Sequence, residues 1–288
     1  MKNTKIIIIG SDFTFEEKAL LEKCEDLNID SEFILFDDLE VRISSKTKFE
    51  KDGKSVFENF SGNEKFIIRR SRGNFEKCVV FAEILKKRNF IFTDSFRSIS
   101  TNLNKEIFLA TIESEILPHP PNSFFIEAGK KLGNKELSFP ILSKPVHGRH
   151  GENISIHKNL ESLQNSIDKS SETLIVQDYL EVESEFRTFV IGKKVLGVIK
   201  KKPAAGTTIA NYAAGAEFIK SDLPQELLTE SINLCQNQEI DIGGVDIARD
   251  KNGNYFLLEI NRCPEFQAFE KATNVDIAGE IIDFVLSK

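Results

Sequence analysis

Residues 243–261 constrain the fold more than any other stretch of the chain. At their centre lies Asn252-Gly253, flanked by segments in which apolar and polar side chains alternate. That dipeptide suits a two-residue type I′ turn joining antiparallel strands. With those residues as the turn, Lys251 stands opposite Asn254, and stepping outward sets Asp246 opposite Glu259. Strand side chains alternate between faces, so Asn261 shares the face of Glu259. Val245, Ile247, Phe256, Leu258 and Ile260 then form the opposite, core-facing side. Opposed carboxylates with Cβ atoms roughly 4.5–5.5 Å apart repel each other. Either a cation lies between them, and Mg²⁺ suits such an all-oxygen site, or both acids are solvated on an exposed sheet face.

The rest of the chain reads as two kinds of structure. In the first third, strand-like segments (Lys5–Ile9, Ser31–Phe36, Lys65–Arg70, Phe90–Thr93) alternate with amphipathic helices (Phe15–Leu27, Phe75–Lys87). This pattern predicts a small α/β domain with a largely parallel sheet. Asp52-Gly53 marks a hairpin inside it. From about Ser98 the character changes. A helix is expected over Asn104–Glu113, and Pro118, Pro120 and Pro121 then break the chain. Strands follow at Phe139–Lys144, Asn153–Ile156 and Thr173–Asp178, with a helix at Leu160–Ile167. A hairpin is expected over Glu185–Lys202, turning at Gly192-Lys193, with Glu185 facing Lys200. Helices at Gln225–Cys235 and Asp276–Leu286 flank the 243–261 hairpin. The small-residue segment Gly206–Gly215 has the composition of a lid.

Composition narrows the function. A net charge of -7 argues against a general nucleic-acid or membrane-surface binder. No apolar run approaches the ~20 residues of a membrane-spanning helix, and Ile6–Ile9 is too short for a signal-peptide core. The cysteines (Cys24, Cys78, Cys235, Cys263) are widely spaced, which fits reduced thiols in the cytoplasm. A homo-oligomer is compatible with this composition. Asp52-Gly53-Lys54-Ser55 resembles the end of a P-loop, but Lys48 occupies the place of the earlier glycine.

An ordered set of motifs is more specific. Lys144-Pro145, Gly148, Gly151, Val176-Gln177-Asp178-Tyr179, Glu185-Phe186-Arg187, Gly244-Val245-Asp246 and Glu259-Ile260-Asn261 together resemble the ATP-grasp superfamily, in particular its RimK-type glutamate ligases. The resemblance runs from about Lys65 to the C-terminus. It implies an N-terminal α/β domain (residues 1–97) followed by a central (98–172) and a C-terminal (173–288) α+β subdomain that grip ATP. It further implies Lys105 and Lys144 as phosphate-contacting lysines. Gln177, Asp178 and Tyr179 would form the adenine-side hinge, with Glu185 on the ribose and Asn211 near the phosphates. Asp246, Glu259 and Asn261 would hold Mg²⁺ or Mn²⁺. The implied reaction joins a carboxylate to an amine at the expense of ATP, through an acyl phosphate. The substrates would be an amino acid and a carboxylate-bearing peptide, protein or small acid. Modification of a ribosomally made peptide and non-catalytic ATP binding are the alternatives.

Two departures bear on the acceptor side. Ile209-Ala210-Asn211 and Ala214-Gly215-Ala216 stand where the family commonly carries arginines, which are permanently charged, planar donors. Arg262 follows the metal triad directly, and it is expected either to replace part of that charge or to be solvated. Arg69, Arg70 and Arg72 cluster at a strand end, where open α/β sheets bind ligands. They are expected to hold a substrate carboxylate or to form a solvated edge.

Overall fold

The computed structural model describes residues 4–101, 109–133, 136–146, 153–202 and 217–288. Its first strand explains the isoleucine run. In β1 (Lys5–Gly10), Ile6, Ile7, Ile8 and Ile9 are all fully buried. A strand that is apolar on both faces needs cover on both. β1 lies inside a parallel sheet ordered β2-β1-β6-β7, with β2 at Asp30–Leu35, β6 at Glu64–Ile68 and β7 at Ile91–Thr93. Ile7 and Ile9 pack with Phe36, Phe66, Phe81 and Leu85, the last two from helix α2 (Phe75–Lys87). Ile6 and Ile8 pack against helix α1 (Phe15–Asp26) and against residues far along the chain, among them Phe189, Phe266, Ile277 and Ile281. The last helix of the protein therefore closes one face of its first strand.

A small antiparallel sheet, β3 (Glu40–Arg42), β4 (Lys48–Lys51) and β5 (Lys54–Ser55), adjoins this unit. Asp52 and Gly53 turn between β4 and β5 with φ of 53° and 74°, both positive as a type I′ turn requires. Helix α3 (Phe96–Thr101), which the periodicity did not indicate, follows β7. The predicted Asn104–Glu113 helix falls largely outside the described residues.

The middle of the chain forms an antiparallel sheet ordered β10-β9-β11-β8: β8 at Phe124–Ile126, β9 at Ile141–Pro145, β10 at Ser155–His157 and β11 at Leu174–Asp178. Helix α4 (Leu160–Lys169) begins where the Asn159 side chain accepts from Ser162 N and buries Leu163 and Ile167 against this sheet.

The C-terminal part is a five-stranded antiparallel sheet ordered β14-β13-β12-β15-β16. Its strands are β12 (Val182–Ile191), β13 (Lys194–Lys202), β14 (Glu217–Ser221), β15 (Ile242–Asp250) and β16 (Tyr255–Asn261). Helix α5 (Gln225–Asn237) covers one face, burying Leu227, Leu234 and Cys235 over Val245, Ile247, Leu257 and Ile260. The other face meets α6 (Gln267–Thr273) and α7 (Ile277–Ser287) through Phe189, Ile191, Ile199 and Ile242.

Two register details correct the sequence reading. At the β15–β16 turn Gly253 takes φ +89° while Asn252 does not enter the left-handed region. Gly253 N donates to Asp250 O, and Asp250 Oδ1 accepts from Asn252 N and Asn254 N. This is a wider turn than type I′, held by the Asp250 carboxylate. It displaces the register by one, so Arg249 faces Tyr255 and Ile247 faces Leu257; a bulge at Leu258 then restores it, and Asp246 does face Glu259. The same bulge makes Leu257, not Phe256 or Leu258, the buried core residue. Between β12 and β13 an irregularity next to Phe189 and Val190 puts Glu185 opposite Lys201 instead of Lys200.

Candidate active site

The registers of three pairings bring charges together on one sheet face. β12 supplies Glu185 and Arg187, two residues apart and so on the same side. Arg187 is opposite Asp246 on β15, Glu185 is opposite Lys201 on β13, and Asp246 is opposite Glu259 on β16. Further along this face the strands carry Phe189, Ile191 and Ile242, buried against the rest of the protein. The charged stretch begins where that apolar cover ends.

Arg187 binds Asp246 as a two-pronged pair, Nε to Oδ1 at 2.6 Å and Nη2 to Oδ2 at 2.6 Å. Lys201 Nζ, on a residue only 6% exposed, donates to Asp246 Oδ2 at 3.0 Å and also to Glu185 Oε1. Burial by itself would raise the Asp246 carboxyl, yet Arg187 and then Lys201 outweigh it and hold the group down at about 2. Glu185 moves the other way, upward, because burial and the nearby Asp246 charge outweigh its contact with Lys201. Two acids thus share one lysine, and the surroundings favour the charged form of Asp246 more than that of Glu185. Arg187, desolvated but facing Asp246, has its own pKa raised. The cluster is a buried ion network, and Glu185 is not in the surface ion pair that the sequence allowed.

The donor set suits a hard divalent cation. Asp246 accepts three hydrogen bonds, whereas a carboxylate offers about four acceptor positions, so one position on Asp246 stays available. Glu259 is fixed by Asn261, whose Nδ2 donates to Glu259 Oε1 at 2.9 Å, a bond that leaves the Asn261 amide oxygen out. Asp246, Glu259 and Asn261 therefore offer oxygen ligands of the kind Mg²⁺ takes. Among the described residues no three His, Cys, Asp or Glu side chains converge, so the amide is needed as the third donor.

The other expected residues distribute as follows. Lys144 is on β9 opposite Ile175, and its charge is felt by half-buried His119, whose pKa falls through burial first and this lysine among lesser causes. Gln177 and Asp178 end β11, and Tyr179 follows it. Asp178 N donates to Pro121 O and Tyr179 N to Pro140 O, so two preceding loops anchor this stretch. Lys105, Gly148, Gly151, Asn211 and the 206–215 segment lie outside the described residues.

Arg262 corrects the sequence reading on both counts. It is buried, not solvated, and its guanidinium turns away from the triad. Nη1 donates to Ile68 O at 3.0 Å and Asp94 Oδ2 at 3.1 Å, and Nη2 to Arg69 O at 3.1 Å. It ties the segment after β16 to the parallel sheet. The cations in contact with Asp246 are Arg187 and Lys201, neither of which was assigned a role from sequence. The available signal was Glu185-Phe186-Arg187, charges alternating with an aromatic, which puts Glu185 and Arg187 on one face.

A sequence model of the RimK-like ATP-grasp domain matches residues 119–285, more than half of the chain. The chain belongs to the RimK-like ATP-grasp family. Among curated relatives, a probable alpha-L-glutamate ligase of Legionella pneumophila is 29% identical over 154 residues, 52% of this chain and 51% of that protein. A probable alpha-L-glutamate ligase of Haemophilus influenzae is 29% identical over 172 residues, 57% of each. The chain spans about half the length of the curated relatives it matches. Among solved structures, the ATP-grasp ligase PsnB complexed with minimal precursor aligns with TM-score 0.74 at 18% identity, over 99% of both chains. The macrocyclase MdnC of Microcystis aeruginosa, bound with precursor peptide MdnA, aligns with TM-score 0.73 at 13% identity, over 99% of this chain and 100% of that one. At such identities the agreement is one of fold.

Proposed function

We propose that this protein is an ATP- and Mg²⁺-dependent carboxylate–amine ligase that forms an amide bond through an acyl phosphate and releases ADP and phosphate. The observation that carries this reading is the face shared by Asp246, Glu259 and Asn261, with Arg187 and Lys201 in contact with Asp246. Oxygen ligands for a divalent ion and fixed cations for phosphate oxygens stand side by side there. A carboxylate is a poor electrophile until phosphorylated, and phosphoryl transfer depends mainly on positioning and charge neutralisation. In this reading Asp246, Glu259 and Asn261 hold Mg²⁺, or Mn²⁺ in its place, and the ion neutralises the triphosphate when bound. Lys105 and Lys144 contact phosphates, and Asn211 lies near them. Gln177, Asp178 and Tyr179 receive the adenine, and Glu185 lies on the ribose side. Arg187 and Lys201 supply the positive charge that the 209–216 segment lacks.

The domain limits at residues 98 and 173 belong to the same proposal, as does a cytoplasmic location; among the described residues no helix is long and apolar enough to cross a membrane. The amine is a free amino acid such as glutamate, the substance in the names of the curated relatives. The acyl donor is a carboxylate of a peptide, protein or small acid. A ribosomally made peptide is the favoured second reading. It is supported by folds that match along the whole chain, in structures solved with precursor peptides.

Purified protein incubated with ATP, Mg²⁺, amino acids and peptides should release ADP only when both substrates are present, with a product heavier by one residue. Glu259→Gln should cut this by about 100-fold or more, the scale of removing one preorganised charge-stabilising group. ATP binding without ADP release for every acceptor pair would leave a binding module and end the ligase reading.

A further inference from the structure

The parallel sheet has a switch point. From β1 the chain passes to β2 on one side and returns to β6 on the other, so the connections diverge beyond the carboxyl ends of β1 and β6. Ligands of open α/β sheets bind in that crevice. At that end stand Gly10, the last residue of β1, Asp12 just after it, and Arg69, Arg70 and Arg72 after β6. Gly10 lies close against this edge: a Cβ there would lie 3.2 Å from Arg69 Cβ and 3.4 Å from Arg70 O.

Each arginine has an acidic neighbour, which excludes the solvated-edge reading for Arg69, yet the pairing is incomplete. Arg69 is 2% exposed; its Nε donates to Glu17 Oε1 at 3.0 Å, while its buried Nη2 has no hydrogen-bond partner. Asp12 Oδ2 is also shut off from solvent without a hydrogen bond, and Arg72 Nη1 stays 3.6 Å away. Arg70 Nη2 holds Glu265 Oε1 at 2.9 Å, and the Glu265 side chain is 44% exposed. Buried polar groups left unmatched are costly. At one crevice mouth a guanidinium lacks an acceptor, a carboxylate lacks a donor, and a second guanidinium is occupied by a carboxylate from a half-exposed side chain. A ligand that takes the partly exposed Arg70 and Asp12 side chains carries a carboxylate beside an ammonium group, with Arg69 buried behind Arg70.

The crevice also adjoins the acidic face. Arg262 pins the start of segment 262–266 to Ile68 O and Arg69 O, and Phe266 lies under the Arg69 guanidinium at 5.9 Å. Pro264, in the same segment, packs so tightly on Gly244 that an added Cβ there would come within 2.9 Å of it and 3.5 Å of the Arg187 side chain. One short segment is therefore a wall common to the arginines and to the Arg187–Asp246 pair.

We propose that this crevice is the binding site of the free amino acid. Arg70, backed by Arg69, takes its α-carboxylate, Asp12 takes its ammonium group, and Glu265 occupies Arg70 until the substrate displaces it. The inference rests on the ligase reading for the use made of the bound amino acid, but binding is measurable without turnover.

The whole chain is titrated calorimetrically, with and without Mg-ADP, with each proteinogenic L-amino acid, with glutarate, and with an N-blocked peptide ending in a free carboxylate. At least one amino acid should bind more tightly than glutarate or the peptide. Arg70→Gln should weaken it about 10- to 100-fold, the effect of losing a charged hydrogen-bonding partner. Glu265→Gln should tighten it, a gain that a merely structural role would not produce. Asp12→Asn should erase the preference over glutarate. Arg70 and Glu265 have partly exposed side chains, so these variants should keep the fold. The inference is overturned if no amino acid binds in either condition, if affinity is the same in Arg70→Gln and Glu265→Gln, or if only the blocked peptide binds. Mg-ATP titrated on the same preparations separates the two ideas. Retained nucleotide binding without amino-acid binding sinks this inference alone, and absence of nucleotide binding sinks the ligase reading.

Discussion

The interior beneath the N-terminal sheet and the charged face of the C-terminal sheet are both largely closed to water, but opposite materials fill them. Under the first, Phe36, Phe49, Phe57, Phe66 and Phe81 meet mostly edge to face, with Phe81 5.0 Å from Phe49 and 5.4 Å from Phe57. On the second, Glu185, Arg187, Lys201 and Asp246 form a network of opposite charges. Aromatic burial stabilises whatever the detailed orientation, because the hydrophobic effect is non-directional and scales with area. A buried ion network is poor at stabilising, since desolvation offsets much of the attraction. What it does provide is charge held in fixed directions. The first region keeps the protein folded, and the second is the face on which the proposed ligase reading rests.

The strongest way to break this contrast is Phe81→Ala. It removes a fully buried ring from the aromatic cluster and should cost about 3–5 kcal/mol, read from denaturant midpoints. The folded fraction should bind Mg-ATP as before; weakened nucleotide affinity would show that the two regions are not separate in function. The charged side predicts a pH effect. Asp246 titrates at about 2 in the folded protein, below its unfolded value of about 3.9. Its contribution is present above pH ~4 and is lost as pH falls toward 2, roughly 2 kcal/mol in all. Asp246→Asn should lose that much less stability across the same window, so the difference between the two unfolding curves isolates this carboxylate. A constant difference from pH 5 to pH 2 would mean that the network does not hold Asp246 as described. The smallest expected effect is at the seam joining the two regions. Asp276 Oδ1 caps α7 by accepting from Gly279 N at 2.8 Å, and Oδ2 meets Lys23 of α1 at 2.5 Å. Asp276→Ala should cost about 1 kcal/mol, the worth of an N-cap, in thermal or chemical unfolding.

Local pattern revealed much of this. The strand–helix alternation of the first third, the turn at Asp52-Gly53 and the facing of Asp246 by Glu259 all follow from periodicity and turn chemistry, and the structure contains them. The Asp246–Glu259 pairing nevertheless holds because two irregularities cancel, a wider turn and a bulge at Leu258. Where only one irregularity intervenes, as between β12 and β13, the inferred partner is off by a residue, and Lys201 goes unnoticed behind Lys200. Arg262 misled for another reason. Its backbone follows the triad, but its side chain goes to Ile68, Arg69 and Asp94, residues remote in the chain.

The sequence by itself determined most of the longer strands and helices, the family to which they belong, and the acids that face each other across one hairpin; short elements such as β8, β14, α3 and α6 were not legible in it. Only the tertiary structure decided which cations meet those acids, where Arg262 points, and which carboxylates accompany Arg69, Arg70 and Arg72. Turns and alternation act over a few residues, where backbone geometry leaves few choices. Partners such as Glu17 and Arg69, or Arg187 and Asp246, lie more than fifty residues apart, and a single bulged residue along the way changes which side chains meet.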